Sequence, residues 1–501
     1  MVPLYSHADY PENGTMQLAY LLRRSPVAVV FALTTFVLIA NRAVRTADPY
    51  WDTLAYHWPF AARIAGLCDV NCFLMPPSFE YRYEGFPKLW HAIQGLLWRV
   101  TGTPTLGDLL SIAMVVVLCL YLNRRFRVPL AWSWLALLAI PEVQIQLTSS
   151  YVDLPLNAGV ALALMVLLHI LVNPAADQRS DLALAVAGLA LAANGKPQLV
   201  VVSLFVWTII VLVVSETPSS VHLNRRSSTL LALSLIGGAT LLPHFLLNLY
   251  TFGNPFYPIA FGIGRFRFPG PEAMMQTTSI SDTLQSWPSP ARWLASVMEF
   301  DAFRGRPLPW TLGQGDVPQS SPSFRMGGYF VSYVLGVLAI IGWRARTLRK
   351  RQAFFVLSFA VSLSLVCAAL PLSHELRYYM FWMLTMVSAM LALVNSPLFA
   401  SPEQAVQRNV AHALVGFAAA SVILMTGAAY LQDDFPTLED LASEGNKVVA
   451  AVPEGGTLCI LNHHPRAFLY SALFHPSRHY KTKSLWTDEQ VECTNRVDLG
   501  R

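Results

Sequence analysis

Eleven apolar stretches, each near the length that crosses a bilayer, constrain this chain more than any other feature. They cover 26–41, 105–122, 128–147, 156–172, 182–195, 198–215, 229–247, 327–342, 353–370, 378–394 and 410–430. A span needs roughly 17–25 mostly apolar residues, and inside hydrocarbon a helix satisfies its own backbone. The expected fold class is therefore an all-α polytopic membrane protein of about 11 transmembrane helices. Charge content agrees: 13% of the 501 residues are charged, where soluble chains carry about 25%.

Sidedness follows from Lys and Arg. With Arg23 and Arg24 placed inside, the inside segments are 123–127, 173–181, 216–228, 343–352 (WRARTLRKRQ) and 395–409. Together with the N-terminus they hold fourteen basic residues. The short outside loops at 148–155, 195–197 and 371–377 hold two, Lys196 and Arg377. Basic residues in short loops set orientation, so the N-terminus is expected in the cytoplasm and residues 431–501 outside. No small-residue cleavage pattern follows the first span (NRAVRTAD), so it reads as retained. The net charge of +5 reports this topology; no basic patch interleaved with aromatics calls for nucleic acid.

The remaining chain divides into a membrane domain, 1–430, with long outside loops at 42–103 and 248–326, and a small α/β extracytoplasmic tail, 431–501. In the first loop FPKLWHAIQGLLWRVTG (86–102) has helical periodicity, with Trp90 and Trp98 suited to a membrane interface; a twelfth span there would invert all that follows. An amphipathic stretch lies near 289–303. The tail is expected to carry a helix at 437–450 and a strand at 457–461. Cys68 with Cys72, and Cys459 with Cys493, form two natural pairs in outside segments, which favours disulfides over a metal site. The tail histidines His463, His464, His475 and His479 invite a metal reading but are expected to be solvated or packed surface groups.

Charges near the membrane need a reason, since one at the bilayer centre costs about 2.5–3.5 kcal/mol on insertion scales. Glu142 is expected near enough to the surface to be solvated, Asp108 at the interface, and His169 packed near a cytoplasmic end. The outside set converges instead: Asp52, His57 and Glu84 from the first loop, Asp153 from SSYVDLP, Lys196 from ANGKPQ, His244, Asn248 and Asn254 from 243–258, and Glu375 and Arg377 from SHELRYY.

The chain resembles the C-type (polytopic membrane) glycosyltransferase superfamily, which includes protein O-mannosyltransferases and lipid A aminoarabinose transferases. The residues carrying the likeness are Asp52 with Tyr56, the Phe86-Pro87 helix ending at Gly102, and Asp153. GNPFYP (253–258) and ELRYY (375–379) match a bacterial subset. Many members carry paired acids at the first motif, where this chain has Trp51 beside Asp52 and its other acid at Asp48. No metal ligand set is therefore assigned, no cofactor is certain, and a divalent metal stays open.

The resemblance implies an enzyme of the multi-pass inner (plasma) membrane. It would move a sugar from a polyprenyl-phosphate donor to a lipid, glycan or protein acceptor outside, with inversion. Asp52 suits the general base that takes the acceptor hydroxyl's proton, with Asp153 and Glu84 orienting the acceptor or sharing that role. Arg377 first and Lys196 second suit the lipid phosphate, with Tyr56, His57, His244, Asn248 and Glu375 completing the donor site. Two readings stand beside it: a transporter or flippase of a lipid-linked solute, and an oligosaccharide ligase.

Overall fold

The structure, a computed structural model, describes residues 26–173, 178–216, 223–273, 287–298, 328–373, 375–399, 414–424, 436–462, 464–486 and 492–499. Arg23, Arg24, His463, residues 299–303 of the amphipathic stretch and most of 395–409 lie outside them. Each apolar stretch coincides with a helix or a helix pair. Five described helices are long and apolar enough to cross a membrane: Pro26–Arg45, Thr105–Phe126, Asp153–Val172, Pro197–Glu216 and Lys350–Ala369. The pair Leu231–Leu241 and Pro243–Phe252, bent by 57°, makes a sixth if counted as one span. Shorter apolar helices occupy Tyr333–Ala345, Phe381–Asn395 and Leu414–Leu424.

Two of the expected spans are broken by proline. Pro243 opens the second half of the bent pair. At 128–147 the helix Leu130–Leu138 stops, Ile140 is extended (ψ 114°), and Pro141 starts the short helix Pro141–Gln146. Proline lacks the N–H that would continue the ladder, and its ring excludes the helical carbonyl four residues back. The turn carries Glu142 into the core, where it is fully buried and accepts from Gln146 Nε2 at 3.0 Å. That corrects the solvated reading. Asp108 is likewise buried, accepting from Ser150 Oγ at 2.7 Å. His169 is packed as expected, with Nδ1 3.1 Å from Asp181.

Asp153–Val172 is apolar all round and almost wholly enclosed by its neighbours, as a helix without a polar face must be. It meets the helix Arg179–Ala193 backbone to backbone: a Cβ on Gly159 would stand 2.6 Å from Gly188 O, and one on Gly188 2.5 Å from Gly159 O. Small residues permit such contact between membrane helices. Gly188→Leu is expected to force the pair apart and destabilise the protein by about 1–3 kcal/mol, read as a lowered Tm in detergent; an unchanged Tm would argue against this packing.

The tail is built onto the first loop. That loop contributes the strand β1 (Phe73–Leu74). The second loop makes β2 (Ile259–Ile263), β3 (Phe266–Phe268) and β4 (Glu272–Ala273), and the tail makes β5 (Thr457–Ile460), β6 (Lys481–Ser484) and β7 (Asn495–Val497). The tail sheet runs β1-β6-β5-β7, all parallel. Disulfides join Cys68 to Cys72 beside β1 and Cys459 to Cys493 beside β5. One core holds Leu54, Trp58, Phe60 and Phe73 of the loop with Leu458, Phe468 and Tyr470 of the tail. The predicted tail helix appears as Leu438–Ser443 and Asn446–Ala450, opened by a Thr437–Asp440 capping box.

The expected interfacial helix forms at Leu89–Thr101 and ends on Gly102 at φ +79°. Its tryptophans point inward, contrary to the interface reading: Trp90 and Trp98 are buried, while Leu96 and Val100 are 63% and 76% exposed. Trp98 is drawn in by the tail, its ring 6.4 Å from that of Phe468 and 6.1 Å from that of Trp58. Histidines of the tail are partly packed: His475 is buried against Leu469 O at 3.1 Å, and His464 Nδ1 accepts from Arg466 N.

Candidate active site

Asp52 opens a π-helical turn, Thr53–His57, an uncommon geometry that widens the helix and recurs at functional sites. The turn sends its residues in two directions. Asp52 meets Arg377, whose guanidinium donates to the carboxylate at 2.8 Å across 325 residues of chain. Tyr56 and His57 turn to the wall of a cavity of about 400 Å³.

A second acid–base pair lies beside the first. Asp153 is the first residue of the long central helix, where the helix dipole favours a carboxylate, and it accepts from Lys196 Nζ. The Lys196 ammonium stands 4.1 Å from the ring centre of Tyr378, and the Arg377 guanidinium 5.1 Å from that ring and 5.8 Å from that of Tyr151. Asn157 locks the arrangement: its side chain donates to Asp153 O at 2.8 Å and to Arg377 O at 3.4 Å, and accepts from Phe381 N at 3.0 Å. Glu375, also buried, puts an oxygen 3.9 Å from Arg377 Nε. Burial lowers the Lys196 pKa, with the Asp153 carboxylate opposing. Burial likewise works against charge on Arg377, but Tyr378 and the carboxylates of Asp52, Asp153 and Glu375 outweigh it and raise its pKa. Burial, then Asp52, raises that of Tyr56.

Tyr56, Lys196, Tyr378 and Tyr379 line the cavity together with apolar Val201, Phe256 and Phe261. The second loop forms one wall. There β2 and β3 make a hairpin around Gly264 (φ +58°), and β4 returns parallel to β2. Arg82 of the helix Pro77–Gly85 closes the seam by an ion pair to Glu272 at 2.8 Å.

Five residues of the expected outside set serve other ends. His244 and Asn248 each bond Gly85 O at 2.7 Å, so they satisfy a backbone carbonyl instead of a phosphate. Gly85 itself admits the second loop: a Cβ there would stand 2.3 Å from Tyr257 O. Asn254, from the same segment, donates to Ile259 O and Pro269 O. Glu84 is exposed at the end of its helix, where its backbone carbonyl accepts from Lys88 Nζ. A role as shared base loses its geometric support. His57 lies in the cavity wall, yet it is 1% exposed and bonded to His91 at 2.8 Å. Burial lowers its pKa well below that of a free imidazole, so it brings no positive charge to a phosphate.

Tyr151, Asn157, Tyr378 and His91 went unread in the sequence. Only position hinted at them: Tyr151 and Asn157 flank Asp153, and Tyr378 follows Arg377. Asp48, the other acid of the first motif, turns away from Asp52. It is fully buried and accepts from Thr53 Oγ1, from Tyr50 N at 2.8 Å and from Ser150 N at 3.3 Å. These bonds tie the Asp52 turn to the segment leading into Asp153. Among the described residues no group of three or more His, Cys, Asp or Glu could hold a metal ion. The divalent-metal expectation is thus left without a ligand set among the described residues.

Burial raises the Asp48 pKa to about 6 in spite of its hydrogen bonds. The folded state thus holds this proton more tightly than the unfolded chain. The resulting stabilisation is full below about pH 4 and is lost as pH rises through about 6. Asp48→Asn is expected to flatten that part of the Tm–pH profile; an unchanged slope would contradict the assignment.

No protein-family profile and no curated protein matches the sequence. Solved structures do match. The crystal structure of ArnT from Cupriavidus metallidurans in the apo state aligns with TM-score 0.53 at 14% identity, over 91% of this chain and 89% of that one. The same protein bound to undecaprenyl phosphate aligns with TM-score 0.54 at 13% identity, over 92% and 90%. The chain has the ArnT fold. Both alignments extend over about nine-tenths of each chain, so the likeness is one of overall fold.

Proposed function

We propose that this chain is a membrane glycosyltransferase that moves a sugar from a polyprenyl-phosphate donor to an acceptor hydroxyl on the extracytoplasmic face. One observation carries the reading: two acid–base pairs, Asp52–Arg377 and Asp153–Lys196, meet at Tyr378, which with Lys196 and apolar groups such as Val201 and Phe256 lines a cavity. An amphiphile with an anionic head and an apolar chain fits a lining that combines a cation with apolar and aromatic groups. An ArnT structure of the same fold binds undecaprenyl phosphate, which supports the same ligand class here.

The chemistry follows from the pairs. At rest each carboxylate is neutralised by a cation. The donor's phosphate competes for Arg377 and Lys196 and frees Asp52. Asp52 then takes the proton of the acceptor hydroxyl as its oxygen bonds the anomeric carbon. The bond from that carbon to the phosphate oxygen breaks, and the electron pair leaves with the polyprenyl phosphate. Negative charge grows on that phosphate as the bond breaks, so the cations act more strongly on the transition state than on the bound donor. Positive charge on the sugar ring is balanced by the nearby carboxylates. Attack opposite the leaving phosphate inverts the anomeric centre.

The polar groups gather at one end of the helices and not at mid-depth across several spans, as a carrier would need, so the transfer reading is favoured over transport. Cells lacking the protein are expected to accumulate a polyprenyl-phosphate monosaccharide. Accumulation of a diphosphate-linked oligosaccharide would point to a ligase, and accumulation of neither would overturn the proposal.

A further inference from the structure

Ser150 lies three residues before Asp153 and is buried. The transfer chemistry above does not use it, yet four separate parts of the fold converge on it. Its hydroxyl accepts from Trp58 Nε1 at 2.8 Å and donates to Asp108 at 2.7 Å. Its N–H donates to Asp48 at 3.3 Å, and its carbonyl accepts from Gln94 Nε2 at 3.0 Å. Every polar atom of the residue is thus engaged. An enclosed network of this kind holds its members in one arrangement, because breaking any bond strands a buried polar group.

Two of the four partners bracket the turn that Asp52 opens. Asp48 stands before it and also accepts from Thr53 Oγ1. Trp58 stands directly after it, and its N–H closes the π-turn on Thr53 O. The two residues whose bond defines the π geometry, Thr53 and Trp58, are therefore the ones tied to Ser150, the first through Asp48 and the second directly. A π-turn closes one residue later than an α-helix. Reversion to the α-helix would rotate one flank against the other by about 100°, the angle per residue, and would carry Asp52 away from Arg377. In the other direction Ser150 leads through Tyr151 and Val152 into Asp153, the first residue of its helix. The segments bearing both carboxylates meet at this one serine.

We propose that Ser150 is a positioning residue for transfer: through Trp58 and Asp48 it holds the Asp52 turn in its π geometry and in register with Asp153. The inference rests on the proposed function and names the group that aims its base. Ser150 is enclosed and acts through Asp52. Removing its hydroxyl leaves both backbone bonds, to Asp48 and from Gln94, so the segment running into Asp153 keeps its place. What is lost is the tie to Trp58, and with it the fixed aim of the base. Misplacing a catalytic group by about 1 Å can slow a reaction by about 10²-fold.

The test measures transfer and lipid binding by the full-length protein in proteoliposomes. The donors are labelled undecaprenyl-phosphate glucose, mannose, arabinose and 4-amino-4-deoxyarabinose, with a membrane-lipid and glycan extract as acceptor. Bare undecaprenyl phosphate is the binding probe. Ser150→Ala is expected to lower kcat by about 10–100-fold on the donor that the wild type uses, with bare-lipid affinity within about three-fold, the split left by a group that acts on the transition state alone. Trp58→Phe breaks the same link from the side of the turn and should do likewise. The double variant should be no slower than the slower single one, since both remove one bond. Should either variant fail to fold, the other carries the same comparison. The deciding measurement is made in Asp52→Asn protein: with the base gone, adding Ser150→Ala should change the residual single-turnover rate by less than about two-fold. Transfer near the wild-type rate in the single variants, an equal fold-loss in the Asp52→Asn background, or bare-lipid affinity that falls in step with kcat would each overturn the inference. Wild-type protein that binds no bare lipid and transfers none of the four sugars would instead bring down the proposed function, and this inference with it.

Discussion

Asp52→Asn is expected to slow sugar transfer by about 10²–10⁴-fold, the usual contribution of a positioned general base, with donor affinity unchanged or higher. The two halves have separate causes. Asparagine keeps the shape of the side chain and can still accept from Arg377 through its oxygen, but it takes no proton at neutral pH. It also releases Arg377 from the charge that holds it at 2.8 Å, so the donor phosphate no longer competes with a carboxylate. A base that also masks the phosphate site thus gives an inverse pairing of effects, slower turnover with undiminished binding. Turnover near that of the wild type would remove Asp52 from the mechanism. Loss of donor binding along with turnover would make it a structural residue of the turn.

Arg377→Ala carries the second large effect and the opposite signature. The guanidinium is enclosed, facing Asp52 and Glu375 and flanked by Tyr151 and Tyr378. Removing it takes away the phosphate's main cation and leaves two carboxylates in a shared site. Truncating one member of such a pair costs about 2–5 kcal/mol, so donor affinity should fall by at least about 30-fold. Arg377→Lys should recover only part, because an ammonium cannot span carboxylate and phosphate as a planar fork does. In the double variant with Asp52→Asn the stability loss should shrink, since one of the two stranded charges is gone. Donor affinity that is unchanged in Arg377→Ala would exclude Arg377 as the phosphate group.

The helical architecture was readable from the sequence because a bilayer admits few ways to satisfy a backbone, and each apolar stretch does correspond to helix. The breaks at Pro141 and Pro243 were also present in the sequence, but hydropathy averages over them. At the site, Asp52, Asp153, Lys196 and Arg377 stood out because charge beside a membrane needs a partner, and each finds one. Glu84, His244 and Asn248 were assigned chemistry on the same ground and proved otherwise placed. Glu84 is exposed; for His244 and Asn248 the reason is that Gly85 has a buried carbonyl that needs donors, and no pattern in the chain reveals which carbonyl that will be. Tyr151, Tyr378 and His91 were passed over because an aromatic or a lone histidine beside apolar residues is by default packing. Strand β1 is two residues long and pairs with Thr482 and Lys483, far too short and distant for local pattern to show that the tail is fastened to the loop bearing Asp52.

The central claim is that this cavity and its paired charges transfer a lipid-carried sugar. The most direct measurement is release of undecaprenyl phosphate from a radiolabelled undecaprenyl-phosphate sugar, by purified protein in proteoliposomes supplied with a membrane-lipid and glycan extract as acceptor. The account predicts label moving to the acceptor in step with free undecaprenyl phosphate, in the wild type and not in Asp52→Asn. Label that crosses to the opposite leaflet still attached to its lipid, with no phosphate lipid released, would contradict it.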